Sequence, residues 1–386
     1  MATDNSDLQV NGALAADEVA TSEEKVYVAT QWQLMWWKFR KHKMANIAGV
    51  VLILFYAVAL FAEFVAPYNP EQFFPQYKLS PPTSIHIRDT EGNWRLPFVY
   101  QTVRTRDPDT LRSIYTPDTS IIHPIEFFSR GGEYKLWGMF DTEMHLFGLA
   151  VPHSEMGVFL LGADRMGRDL FSRLVYGARI SLSIGLIGVF MSLTIGILLG
   201  GISGYYGGGV DNAIQRVIEF IRSIPTIPLW MALSAALPAD WPILRVYFGI
   251  TVILSLISWT GMARVIRGRF LALREEDFVM AARLAGSSEF RVIWRHMVPS
   301  FLSHIIASLT LSIPGMILGE TGLSFIGLGL RAPAISWGVL LQESQNLRSV
   351  VLAPWVLLPG LAVVLSVLSF NFLGDGLRDA ADPYAR

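Results

Sequence analysis

The sequence predicts an all-α membrane protein of about six transmembrane helices, with a β-rich extracytoplasmic domain inserted after the first. Composition and pattern both lead there. Hydrophobic residues fill 52% of the 386 positions and charged residues only 16%, with a mean hydropathy of +0.41. A soluble chain of this length carries more charge. Five apolar runs approach the ~20 residues that a hydrocarbon core of ~30 Å demands of a helix. Between the first and second run lies a long polar stretch dense in aromatic residues.

Each element follows in order. Residues 1–30 carry Asp4, Asp7, Asp17, Glu18, Glu23 and Glu24 without a basic start or an apolar core. They read as a disordered acidic cytoplasmic tail rather than a signal peptide. Residues 31–66 join an interfacial helix to the first span at 46–66. Trp32, Trp36 and Trp37 suit the headgroup region. Lys38, Arg40, Lys41 and Lys43 crowd the start of the span and place the N-terminus in the cytoplasm.

Residues 67–176 are too polar to span and too long for a turn. Hairpins are expected at Glu91-Gly92-Asn93, between HIR and WRLPFVY, and at Gly131-Gly132, between IEFFS and EYKLW. This segment is the inserted domain, expected on the extracytoplasmic side. The remaining spans, at 179–203, 246–263, 301–319 and 351–374, lie in a core at 177–376. A weaker one at about 217–237 holds Glu219, Arg222, Pro225 and Pro228 and is expected to be a broken helix. Six spans return the C-terminal residues 377–386 to the cytoplasm. The loop at 264–300 then falls inside with Arg264, Arg267, Arg269, Arg274, Arg283, Arg291 and Arg295, in line with the positive-inside rule.

Gly185, Gly188, Ser192, Gly196, Gly200 and Gly204 recur at steps of three or four and form a ridge for close helix packing. Asp164, Arg165, Arg168 and Asp169, ahead of that ridge, are placed to pair locally; Asp164 and Arg168 also stand as pathway candidates at its entrance. Asp211 is expected to cap the helix that follows the glycine turn. Glu320 is the third pathway candidate. A charge at mid-membrane costs roughly 2.5–3.5 kcal/mol, so it needs a wet cavity or a partner.

Several classes are excluded. No phosphate-binding G-x-x-x-x-G-K-[ST] loop and no H-E-x-x-H are present, and cysteine is absent. Glu143, His145, His153 and Glu155 lie close in sequence without a metal-site spacing. A net charge of −1 and the lack of a basic, aromatic-laced stripe argue against nucleic acid. No catalytic, cofactor or metal residues are assigned.

A membrane chain without its own nucleotide site takes its driving energy from outside. Residues 278–299, FVMAARLAGSSEFRVIWRHMVP, supply a socket for it. Ala281 and Ala282 give a narrow helical surface, Gly286 can adopt the positive φ that closes the helix, and Pro299 opens the next apolar run. This frame resembles the Glu-Ala-Ala loop of ABC-importer permeases, with Met280 where that family has glutamate. Residues 161–182, residues 204–229 and GDGLRDAADP at 374–383 resemble, in the same order, a permease subunit of dipeptide and oligopeptide importers. The likeness covers about 31–70 and 161–383 and leaves the insert outside.

The resemblance implies a multi-pass subunit of the bacterial inner membrane, paired with a second, homologous permease. It implies two ATP-binding subunits, which would hold the ATP and Mg, and a periplasmic or lipid-anchored binding protein. Phe278, Ala281, Ala282, Arg283, Gly286, Glu289, Arg291 and Pro299 would contact the ATPase, with Arg283, Glu289 and Arg291 as rim charge. Peptides are the family's usual cargo; oligosaccharides, nickel chelates and glutathione are carried by relatives. The competing class, an ion-coupled secondary transporter, would show internal repeats and paired broken helices. One broken helix and no repeat are visible.

Overall fold

Where the chain is apolar for twenty residues at a time it forms long helices, and where aromatic and β-branched residues crowd a polar stretch it forms strands. The computed structural model describes residues 30–109, 113–149, 157–238 and 240–381. The acidic tail before residue 30, His153, Glu155 and the last five residues, including Pro383, lie outside the described residues.

Helix α1 (Gln31–Lys41) opens on a reciprocal capping box. Gln33 N–H donates to Thr30 Oγ1, and Thr30 N–H donates to Gln33 Oε1. The first span, α2 (Lys43–Leu60), is followed by a short turn of helix, α3 (Ala62–Val65). Then come six strands and the long helix α4 (Leu170–Tyr206). Helices α5 (Gly208–Ser223) and α6 (Thr226–Ala235) meet at a bend of 83° around Pro225, the broken segment the prolines predicted. The helices α7 (Ile243–Leu273) and α9 (Leu302–Phe325) flank the 274–301 connection, which holds the short α8 (Asp277–Leu284). Two short helices, α10 (Trp337–Leu341) and α11 (Leu347–Leu352), precede the last, α12 (Leu358–Ala381). Among the described residues five helices are long and apolar enough to cross a membrane, or six with the bent pair counted as one.

Several helix limits and one cap differ from the sequence reading. Helix α4 starts at Leu170, so the expected limit at 176 falls inside it. Its first turns hold Arg173 and Arg179, which depress hydropathy but have partners. Asp164 accepts from Arg173, and Glu63 takes Arg179 Nη1 at 2.7 Å and Nη2 at 2.6 Å. Helix α7 runs to Leu273, which puts Arg264, Arg267 and Arg269 on a helix rather than in the 264–300 loop. Asp211 does not cap α5: Gly207, at φ 67, occupies the cap without a side-chain bond. The Asp211 carboxylate instead takes Arg267 Nε at 2.6 Å and Nη2 at 2.5 Å from α7.

The glycine ridge of α4 packs within the chain, against α7 and α9. A Cβ on Gly200 would stand 2.4 Å from Ala263 O, and one on Gly204 2.6 Å from Phe270 Cβ. Gly185 faces Ile313 and Ile317 of α9 in the same way. Ser192 Oγ donates across the α4–α7 seam to Ser255 O at 3.2 Å.

The strands lie between α3 and α4. β1 (His86–Arg88), β2 (Trp94–Arg106), β3 (Ser113–Phe127) and β6 (Phe147–Leu149) form an antiparallel sheet in the order β1-β2-β3-β6. The hairpin at Gly92 (φ 92) is where the sequence put it. The second expected hairpin is not. Gly131-Gly132 lies inside β4 (Arg130–Leu136), which pairs with β5 (Phe140–Met144) across Trp137-Gly138. The chain turns before β4 at Phe128, φ 55. The sheet is seated on the helices through Phe147, 5.7 Å from the Phe171 ring, and through Leu146 N–H, which donates to Phe64 O.

Candidate functional site

The 274–301 connection sits at the end of α4 opposite the sheet, beside Tyr205 and Tyr206. Glu276 precedes α8, and Asp277 lies in its first turn, where a carboxylate favours the helix dipole. The helix ends in a paired-bond stop. Gly286, at φ 75, donates to Arg283 O at 2.9 Å, and Ser287 N–H donates to Ala282 O at 3.1 Å. Ser288 Oγ then accepts from Arg291 N–H to start Glu289–Arg291, and a π-helical turn over Val292–Met297 leads to Pro299 and α9.

Two faces result. Val279, Val292 and Met297 are buried against Tyr205, Met262, Ile266, Phe270 and Phe301, with Ala282 packed on the same cluster. Phe278, Met280, Ala281, Leu284, Phe290 and Trp294 are exposed; Leu284 is 88% exposed. The alanine pair is therefore split, with Ala281 outward and Ala282 inward. Two of the expected rim charges are tied to α4. The Arg283 guanidinium lies 4.8 Å from the centre of the Tyr205 ring, and Tyr206 Oη donates to Glu289 Oε2 at 2.6 Å. Arg291 is exposed.

The three pathway candidates do not converge. Glu320 is fully buried and accepts hydroxyl bonds from Ser181 (3.3 Å), Ser324 (2.8 Å) and Ser336 (2.7 Å). Those hydroxyls in turn accept from Trp337, Leu330 and Val339 backbone N–H groups. Glu320 thus joins α4, α9 and the start of α10 as a packing hub, which meets the requirement that a buried polar group be hydrogen-bonded.

Asp164 and Arg168 belong to a separate cluster at the sheet end of α4. The Asp164 carboxylate accepts from Arg168 Nε at 2.6 Å, from Arg173, and from the Met166 and Arg168 N–H groups. Glu343 closes the cluster, 3.5 Å from Arg168 Nη2, and burial raises its carboxyl above the usual range. Arg168, Arg173, Gln342, Glu343 and Gln345 line a cavity of about 410 Å³. Burial also pushes the Asp169 carboxyl up to about 6; its Oδ2 caps α4 through Ser172 N–H at 2.7 Å.

Sequence reasoning missed Arg173, Glu343 and the Glu63–Arg179 pair. Glu63 did carry a signal, since a lone carboxylate in an apolar run requires a cation. His145 is held by Ala66 O at 2.7 Å and Gly132 O at 3.1 Å, and no group of three or more metal-ligating side chains occurs among the described residues.

Helices long and apolar enough to span a membrane, with a glycine-stopped helix of exposed apolar side chains at one end, are the frame against which the comparisons are set. The comparisons give the family. The family described as "binding-protein-dependent transport system inner membrane component" matches residues 196–386, and the "N-terminal TM domain of oligopeptide transport permease C" matches residues 30–82. The chain belongs to this family of transport permeases. It is 38% identical over 64% of its length to the oligopeptide transport system permease protein OppC of Haemophilus influenzae, covering 76% of that protein. It is 40% identical over 58% of its length to the dipeptide transport system permease protein DppC of Alkalihalophilus pseudofirmus, covering 71%. To the glutathione transport system permease protein GsiD of an Escherichia coli O6:K15:H31 strain it is 31% identical over 92% of its length, covering 91%. The chain is a multi-pass permease subunit of an ABC importer, a transport subunit.

Proposed function

We propose that this permease forms half of a pathway for peptides and is driven through the 278–299 connection. The observation that carries the drive is the two-faced α8. One face is packed on the ends of α4 and α7, and the other leaves Met280, Ala281 and Leu284 exposed. An amphipathic helix with a free apolar face is suited to a groove in another protein. Two ATP-binding subunits, carrying the ATP and Mg, would take this helix and that of a second, homologous permease. Arg283 and Glu289 act through Tyr205 and Tyr206, so a displacement of α8 reaches α4 as well as α7 and α9. The opposite end, with the sheet and the Asp164–Glu343 cluster, faces outward. There the strands cap the mouth or receive a loaded binding protein. Basic residues around Lys38–Lys43 and the 264–295 arginines support cytoplasmic placement of both termini.

Peptide cargo rests on the OppC and DppC relatives; the GsiD relative keeps glutathione, itself a short peptide, within the same reading. The drive is tested by Leu284→Glu. Leu284 makes little contact within its own chain, so the variant should insert and fold normally. Loss of a buried leucine costs about 1.5–3 kcal/mol, at least a tenfold loss of affinity. The ATPase subunits are expected to stop co-purifying with it. Undiminished co-purification would remove α8 as the docking element.

A further inference from the structure

The β4–β5 hairpin departs from ordinary turn chemistry. The three residues 137–139 join the strands, and Met139 N–H donates to Leu136 O; a turn with both central residues at positive φ usually takes Asn-Gly or Asp-Gly. Here the pair is Trp137-Gly138, at φ 54 and 74. A bulky side chain is disfavoured in the left-handed region, so backbone preference does not account for Trp137. Its surroundings do. Trp137 Nε1 donates to Leu60 O, on the last turn of α2, at 2.8 Å, and its ring lies 5.5 Å from that of Phe61. The turn is fastened at the level where the first span ends.

The tip beside it is apolar and open. Met139 is 70% exposed and Phe140 59%. Lys135 and Asp141 face each other in register, 3.5 Å apart, on the opposite side of the ribbon from Leu136 and Phe140. The hairpin is therefore two-sided, charged on one face and apolar on the other. Helix α2 exposes Ile53, Leu54 and Leu60, and Phe61, just past its end, is exposed as well. That flank of a span meets lipid in a bilayer, and the hairpin tip continues it.

We propose that the β4–β5 tip inserts into the bilayer interface, with Trp137, Met139 and Phe140 forming a lipid anchor that pins the strand unit beside α2. Trp137 sits at the headgroup level, where an indole ring with a satisfied N–H is favoured. Met139 and Phe140 extend from it into the acyl boundary, as the apolar side of an interfacial element does. Lipid fits the patch better than protein does. One turn offers a handful of side chains, against the ~20–30 residues a side of a standard protein interface, and Trp137 itself rests on the end of α2, whose flank is exposed and apolar.

The chain contains no cysteine, so a single introduced thiol gives a clean report. Met139→Cys carrying an environment-sensitive fluorophore, in the complete importer in phosphatidylcholine nanodiscs, should emit to the blue. It should also lose intensity when the lipid is replaced by its brominated-chain counterpart. Phe140→Cys should behave alike, which provides a second readout if one variant fails to assemble. Thr105→Cys, exposed near the far end of the β2–β3 ladder, should show neither effect. Equal, unquenched emission from positions 139, 140 and 105 overturns the proposal. A signal at 139 that shifts on assembly with partner subunits but ignores bromination overturns it as well, by assigning the patch to a protein contact.

Discussion

Two glycine-marked regions near one end of the bundle obey opposite rules. Along α4 the glycines stand where a side chain has no room: a Cβ on Gly200 would press on Ala263 O at 2.4 Å. At Gly286 nothing lies within 4 Å of where a Cβ would be, and the requirement is the backbone, at φ 75. The first kind of glycine makes a seam rigid by bringing two helices into contact. The second stops a helix in open space and leaves its tip exposed, which is what the proposed docking requires. A lever needs both, a stiff arm and a free end.

The comparison breaks most visibly on the seam side. Gly200→Leu forces α4 and α7 apart, an overpacking cost of about 3 kcal/mol or more. The expected outcome is loss of folded permease from detergent extracts, read by size-exclusion profile and thermal unfolding. A normally folded Gly200→Leu would show that the seam yields and that stiffness is not its purpose.

A smaller effect sharpens the contrast at the other end of α4. Burial holds Asp169 up at about 6, against an ordinary value near ~3.9. Its folded form favours the proton, so its contribution to stability is complete below ~3.9 and is lost as pH rises through about 6. The loss is on the order of 1–3 kcal/mol. Asp169→Asn can keep the cap to Ser172 while removing the titration. Thermal unfolding measured from pH 4 to 7 should show this fall for the parent chain and not for the variant; matching profiles would assign the pH dependence to other groups.

The fold was legible where one residue type has one physical use. The count of five or six segments, the break near Pro225 and the stop at Gly286 all follow from apolar length, a missing N–H and a positive φ. The boundaries failed where charge sits on a helix with a distant partner. Arg173 and Arg179 hid the start of α4 because Asp164 and Glu63, which neutralise them, are remote in sequence or outside the apolar window. The β4–β5 turn was hidden for a related reason. Gly131-Gly132 carries the usual turn signal yet lies in a strand, while Trp137 turns the chain because α2 holds its indole. At the candidate site, the alanine–glycine–proline frame was readable, but the outward and inward split of Ala281 and Ala282 depends on the Tyr205–Phe270 cluster assembled from three helices. Glu320 was legible as a carboxylate in need of partners, although its hydroxyl donors come from α4, from its own helix α9 and from the start of α10.

The central claim is that the stopped helix at the end of α7 transmits work to the membrane pathway. Gly286→Val in the reconstituted importer tests it most directly. No neighbour blocks a side chain there, so the variant should fold and insert, while the left-handed conformation, which costs a β-branched residue about 2 kcal/mol, is disfavoured and the helix stop weakened. Peptide uptake and ATP hydrolysis measured together in proteoliposomes should separate: uptake falls to background, and any hydrolysis that remains no longer responds to loaded binding protein. Uptake at the parent rate, with hydrolysis still stimulated, would contradict the account.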